Sequence, residues 1–143
     1  MPETFLSHSE DDTVRAAECL AARLERGAVV LLYGDLGAGK TAFVRGLASG
    51  LGIDPDEVSS PSFALIQEYR GRLTLYHVDL YRLEEREVED LGLEELGAGE
   101  GILAIEWAEK LAQPPPSAVA VRISDRGGEE RAIEISATEN VER

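Results

Sequence analysis

Sulfur and positive charge are both scarce in this chain. Cys19 stands alone, which excludes an intramolecular disulfide and a cysteine-rich zinc site, and two histidines cannot make a histidine-rich one. Hard-metal chemistry through oxygen ligands stays open. Lys and Arg number 14 against 28 Asp and Glu, a formal charge of -14. So acidic a surface repels a phosphate backbone instead of releasing its counterions, and stand-alone binding to DNA or RNA is disfavoured. Long apolar runs are missing too. The longest, Ala28 to Tyr33, falls far short of the roughly 20 residues that span a bilayer, and Met1-Pro2-Glu3 lacks the basic and apolar regions of a secretion signal. A soluble, cytoplasmic protein without membrane partners is expected. Neither an internal repeat nor a low-complexity block interrupts the chain, and the only strong breaker is Pro114-Pro115-Pro116.

What remains is 143 residues, 43% hydrophobic, suited to one domain over residues 1–143 that buries roughly two thirds of its unfolded surface. Ser9 before Glu10, Asp11 and Asp12 reads as an N-cap with an acidic first turn. Val14, Ala17, Leu20, Ala21 and Leu24 then recur at helical spacing until Gly27. Ala28 to Tyr33 shows no polar alternation, as expected of a strand covered on both faces, and runs into a glycine-rich turn. A second helix follows, with Phe43, Leu47 and Leu51 on one face and Gly50 and Gly52 at its end. Ser62 to Tyr69 and Leu73 to Asp79 read as a hairpin around Arg70-Gly71-Arg72, and Glu84 to about Leu96 as a charged helix. Ile102 to Ile105 is another buried strand, closed by Glu106-Trp107 and followed by a helical turn over Ala108 to Leu111. Ala118 to Ser124 and Arg131 to Ser136 flank a turn at Asp125-Arg-Gly-Gly128. The pattern predicts an α/β domain with a mixed sheet of about six or seven strands, and Gly34 to Thr41, with G-x-x-x-x-G-K-[ST] spacing after a buried strand, make the expected class a P-loop NTPase-like three-layer domain.

Gly34-Asp35-Leu36-Gly37-Ala38-Gly39-Lys40-Thr41 matches G-x-x-x-x-G-K-[ST] between a buried strand and a helix, where the mechanism needs it. Glycines let the backbone wrap a phosphate and turn successive N–H groups inward, and the next helix adds its positive end. Lys40 supplies a point charge for the β- and γ-phosphates, and Thr41 a hydroxyl for Mg²⁺. Asp79, ending an apolar-alternating strand, is a candidate Mg²⁺ ligand, although an Asp capping the next helix would look the same. Glu106 ends a buried strand whose C-terminus faces the ligand crevice, and suits either Mg²⁺ or the attacking water. Ser62, in Ser59-Ser60-Pro61-Ser62, offers a hydroxyl to the γ-phosphate or is part of an ordinary loop. Trp107 reads as a nucleotide contact or as a core aromatic. His77 points away from Val78 and reads as a satisfied sheet histidine, and Cys19 as a small apolar helix residue. The guanine-reading N-K-x-D and D-x-x-G segments are lacking, which favours ATP. A small-molecule or nucleotide kinase with the same loop is the alternative to an ATPase, and a nucleotide-gated binding module without turnover is a third.

Gly34 to Thr41, Ser60-Pro-Ser-Phe63, Tyr76-His-Val-Asp-Leu-Tyr-Arg-Leu83 and Glu106-Trp107 resemble, in order and spacing, the TsaE (YjeE) family over nearly the whole chain. The resemblance implies a P-loop ATPase, slow alone, that works with TsaB and TsaD in making N6-threonylcarbamoyladenosine at position 37 of tRNA. By position it implies that Gly34 to Thr41 hold the phosphates. Thr41 and Glu106 would ligate Mg²⁺ with Asp79 close by, and Trp107 would lie near the nucleotide. It implies adenine contacts from the start of the first helix, where Asp11, Asp12 and Thr13 are candidates. Ser62 replaces the family's usual Thr, keeping the hydroxyl but losing the stiff β-branch. Arg126 and Arg131 would reach the nucleotide from one side or form a solvated hairpin face.

Overall fold

The computed structural model describes residues 3–34, 39–58, 66–89, 92–93, 101–111, 115 and 117–137. Seven strands form a single mixed sheet: β1 (Glu3–Ser7), β2 (Val29–Tyr33), β3 (Ile66–Tyr69), β4 (Leu75–Asp79), β5 (Ile102–Glu106), β6 (Val119–Gly127) and β7 (Glu130–Ala137), in the spatial order β1-β7-β6-β2-β5-β4-β3. β6, β2, β5 and β4 are mutually parallel, while β3, β7 and β1 add antiparallel edges. The parallel centre brings the C-terminal ends of β2, β4 and β5 to one rim, the place where open α/β sheets bind ligands. In that rim Leu32 is the register partner of Glu106, and Glu106 that of Asp79.

The central strands carry apolar side chains on both faces because both are covered. On one face Val30, Leu32, Ile102, Ala104 and Leu75 pack under α1 (Glu10–Ala21) and α2 (Lys40–Gly50). On the other, Leu31, Leu103, Ile105 and Val78 pack with Leu80, Leu83 and Ala108, together with Val88 of the short helix α3 (Glu85–Glu89). The result is the expected three layers. Among the described residues no helix is long and apolar enough to cross a membrane.

α1 opens on Ser9, whose side chain accepts from Asp12 N at 3.1 Å, satisfying one of the helix's orphan donors. It packs on α2 through small residues. A Cβ at Gly46 would lie 2.3 Å from the Val14 carbonyl oxygen and 2.5 Å from Ala17 Cβ, and one at Gly50 would lie 2.6 Å from Ala21 Cβ. Glycine is therefore required there by close approach, and it fixes how α2 lies beneath the rim. Ser49 Oγ donates to Glu18 at 2.6 Å, and Arg45 reaches Glu10 at 3.3 Å, so the two helices run side by side in the same direction.

Three sequence expectations change. β1, paired antiparallel with β7 from Glu3↔Ile135 to Ser7↔Arg131, has no counterpart in the sequence reading, because four of its five residues are exposed and show no apolar alternation. α1 ends at Ala21 with Ala22 as its C-cap, and not near Gly27; Leu24 packs against the core from the turn that follows. α2 ends at Gly50, with Leu51 as its C-cap, as the glycines at 50 and 52 predict. The expected Glu84–Leu96 helix is only Glu85–Glu89 here, since Gly92 at φ 71° is not helical; its residues 90–91 and 94–96, and the expected Ser62–Tyr69 strand before Ile66, lie outside the described residues.

Candidate functional site

β2 delivers the chain to the rim at Gly34, and the chain returns as α2 at Lys40. Gly39 caps that helix at φ 112°, in the left-handed region that L side chains resist, so the glycine before the lysine has a backbone reason. Phe43 N donates to Gly39 O at 3.0 Å, seating the first turn. Asp35, Leu36, Gly37 and Ala38, four of the expected phosphate-binding residues, lie outside the described residues, as does Ser62.

Lys40 is 4% exposed. Its ammonium donates to the Gly34 carbonyl oxygen, across the span of the loop, and stands 3.8 Å from the centroid of the Trp107 ring. Trp107 is held there at φ 61°, a left-handed conformation that is uncommon for a bulky residue and marks a constrained position. Its ring also lies 4.9 Å from that of Tyr81, which is exposed. Trp107 packs partly on the core and carries Lys40 on its face.

Thr41, one residue into α2, places its Oγ1 3.2 Å and 3.4 Å from the two carboxylate oxygens of Glu106. Glu106, 3% exposed, also receives His77 Nε2 at 2.6 Å. Asp79 sits beside Glu106 in register, and one of its oxygens accepts from Tyr81 N at 2.9 Å. Asp79 therefore caps the next turn while lying at the rim. Burial pushes its carboxyl above the usual range, and the Glu106 charge adds to that push, while the Tyr81 N–H and the Lys40 ammonium oppose it. The donors gathered here are a hydroxyl and carboxylates, the hard oxygen set that Mg²⁺ takes. Among the described residues no group of three or more His, Cys, Asp or Glu is placed to hold a metal. A cation at this rim would need phosphate and water oxygens as well, as Mg²⁺ bound with nucleotides does.

Other expected contacts fall elsewhere. Thr13 is buried and shares a 2.8 Å hydrogen bond with the Ser7 hydroxyl, so its side chain ties α1 to β1. Asp12 accepts from His8 N at 3.0 Å at the surface, and Asp11 is exposed. Arg131 is engaged within its own hairpin, donating to Asp125 at 3.2 Å and to the Gly128 carbonyl at 2.9 Å, and Arg126 is exposed on the same hairpin. Cys19 lies on α1, as expected, and is exposed.

Two participants escaped the sequence reading. Glu109 accepts from Gly34 N at 3.2 Å, pinning the first residue of the loop from the turn after β5. His77 is buried in the sheet, as expected, and there it shares Glu106 with Thr41, a partner the sequence does not name. The available signal was period two: His77 and Asp79 fall on the same face of β4, next to the strand that ends in Glu106.

A family model for TsaE, described as threonylcarbamoyl adenosine biosynthesis protein TsaE, matches residues 7–133. A Treponema pallidum protein named tRNA threonylcarbamoyladenosine biosynthesis protein TsaE is 45% identical over 132 residues, covering 90% of this chain and 97% of the relative. A Bacillus subtilis protein of the same name is 45% identical over 132 residues, covering 91% and 82%. The crystal structure of Bacillus subtilis YdiB superposes with a TM-score of 0.78 at 35% identity, over 99% of this chain and 88% of that one. That likeness agrees with the P-loop NTPase-like arrangement of strand, loop and helix described above. The matched residues run from the end of β1 into β7 and include every rim residue named here, so the chain belongs to the TsaE family.

Proposed function

We propose that this chain is the ATP-binding and hydrolysing component of tRNA N6-threonylcarbamoyladenosine synthesis. In this reading residues 1–143 act as one P-loop ATPase domain in the cytoplasm, with TsaB and TsaD as partners and tRNA met only through their assembly. The names of its relatives support the pathway. The chemistry rests on one observation: the Thr41 hydroxyl, opening α2, lies 3.2 Å from a Glu106 carboxylate oxygen at the end of β5.

Lys40 would bind the β- and γ-phosphates once drawn from the Gly34 carbonyl, and residues 34–41 would cradle the triphosphate by main-chain N–H groups. Thr41 and Glu106, with Asp79 adjacent, fit a magnesium ion bound together with the nucleotide. That ion would neutralise charge growing on the phosphate oxygens. Glu106 and Asp79 would orient a water towards the γ-phosphate, and Ser62 is proposed to offer it a hydroxyl. Trp107 would report on the site through Lys40. A chain of charge -14 leaves tRNA to basic partner surfaces.

ADP and phosphate release from ATP, followed with and without Mg²⁺, TsaB, TsaD and tRNA, tests this reading. Metal-dependent release to water that rises with the partners is expected. Transfer of phosphate to a metabolite would establish a kinase instead, and binding without release under every condition a nucleotide-gated module. Unchanged ATP affinity in a folded Lys40→Ala variant would remove the phosphate-loop assignment.

A further inference from the structure

On β4, a strand covered on both faces, Leu75 packs into the helix-side core, and two residues later the same side of the strand carries an imidazole. His77 is 0% exposed. Its Nε2 lies 2.6 Å from Glu106 Oε2, and its buried Nδ1 has no hydrogen-bond partner among the described residues. A carboxylate oxygen can only accept, so Nε2 carries the proton in this contact. A leucine here would fill the space without enclosing a polar nitrogen, and a histidine kept for packing alone would be expected to bond through both nitrogens. The hydrogen bonding that the ring does make goes to Glu106.

That contact divides the work of the carboxylate. Oε2 is approached by both His77 and, at 3.2 Å, the Thr41 hydroxyl, whereas Oε1 has the longer 3.4 Å Thr41 contact. We propose that His77 is a positioning residue: by donating from Nε2 to Glu106 Oε2 it fixes the plane of the carboxylate and leaves Oε1 to engage the cation or the attacking water. The proposal rests on the nucleotide reading above. It assigns His77 no contact with substrate. The β4–β5 register supplies the geometry, because His77 pairs with Ala104 and Asp79 with Glu106, so the imidazole reaches Glu106 from one row inside the sheet.

The side-chain amide of glutamine reproduces a donor near the Nε2 position, and that of asparagine one near Nδ1; both leave a buried amide. The comparison of His77→Gln with His77→Asn therefore separates positioning from packing, and His77→Leu gives the polar-free limit. We expect kcat for Mg²⁺-dependent ATP hydrolysis to fall by roughly tenfold or more in His77→Leu and His77→Asn and to be largely restored in His77→Gln. KM for ATP, and calorimetric affinity for ADP without metal, should change little. Independently of turnover, long-range nitrogen–proton NMR correlations of the ligand-free wild type should show the Nε2–H tautomer of His77, and Glu106→Ala should shift that signal.

An Nδ1–H tautomer, equal kcat in the Gln and Asn variants, or a wild-type kcat in His77→Leu would each overturn the proposal. If His77→Leu does not fold, the Gln and Asn pair and the wild-type tautomer still decide it. Wild-type protein that neither binds nor hydrolyses ATP would sink the nucleotide reading and this inference with it. An active wild type with indistinguishable Gln and Asn variants would sink the inference alone.

Discussion

The Lys40 ammonium rests 3.8 Å from the centroid of the Trp107 ring while donating to the Gly34 carbonyl oxygen. Nucleotide binding at the proposed site must compete with both contacts, and the sole tryptophan should sense the competition. Replacing Lys40 by Met is expected to alter Trp107 emission in ligand-free protein and to abolish the further change that Mg²⁺-ATP causes in wild type. Loss of a charged hydrogen-bonding partner should weaken ATP binding by roughly ten- to a hundredfold. Titration calorimetry and fluorescence on the same samples measure both.

Thr41→Val keeps the shape of the side chain and removes the hydroxyl that faces Glu106. Affinity for ADP in EDTA should stay close to wild type, since in the proposed reading the backbone would still bind phosphate. The gain in ATP affinity on adding Mg²⁺ should shrink by roughly tenfold or more. Equal gains in the two proteins would show that Thr41 is not part of the cation's surroundings.

Asp79 gives a prediction for stability with the opposite sign. Its folded carboxyl lies above the usual value because it is partly buried, so at neutral pH its charge opposes folding. Asp79→Asn should therefore stabilise ligand-free protein, by less than about 1 kcal/mol because the group is half exposed and solvent screens it, while lowering Mg²⁺-dependent turnover. The stability gain should be full above the raised folded pKa. It should vanish as the pH falls below the ordinary value of 3.8, where Asp79 is protonated in both folded and unfolded chains. Urea denaturation at several pH values tests the sign.

Gly46→Ala should be costly, with no chemistry involved. The added Cβ would meet the Val14 carbonyl oxygen at 2.3 Å, forcing α1 and α2 apart at an expected loss of about 1–3 kcal/mol. Gly128→Asn is the contrasting case, because nothing lies within 4 Å of a Cβ at Gly128 and its φ is 57°, a conformation that asparagine tolerates. Equilibrium unfolding of the pair should separate them clearly.

The rim was legible in the sequence because its signals are local. The spacing from Gly34 to Thr41, the strand ending in Asp79 and the strand ending in Glu106 each read from a few adjacent residues, and parallel pairing brings them together. β1 was illegible for the converse reason: Thr4, Phe5 and Leu6 are exposed on an edge strand, so no burial pattern is written into them. Gly46 gave no signal because a helix records the spacing of its own apolar residues and not how closely a neighbour approaches. The direction of His77 was legible as well, into the sheet, but its partner was not. A sequence shows which face of a strand a side chain occupies, but not that the adjacent strand ends one row further on in the carboxylate it touches.

Lysine occurs only at positions 40 and 110, and both side chains are engaged: Lys110 Nζ donates to the Leu83 carbonyl at 2.9 Å, and Lys40 lies between Gly34 and Trp107. An acylating nucleotide analogue would thus find just two ε-amines in these 143 residues, one of them at the rim, at the start of α2. Peptide mass mapping after such labelling would give occupancy from a single mass increment, and sparing of the Lys40 peptide by excess ATP would serve as an internal control.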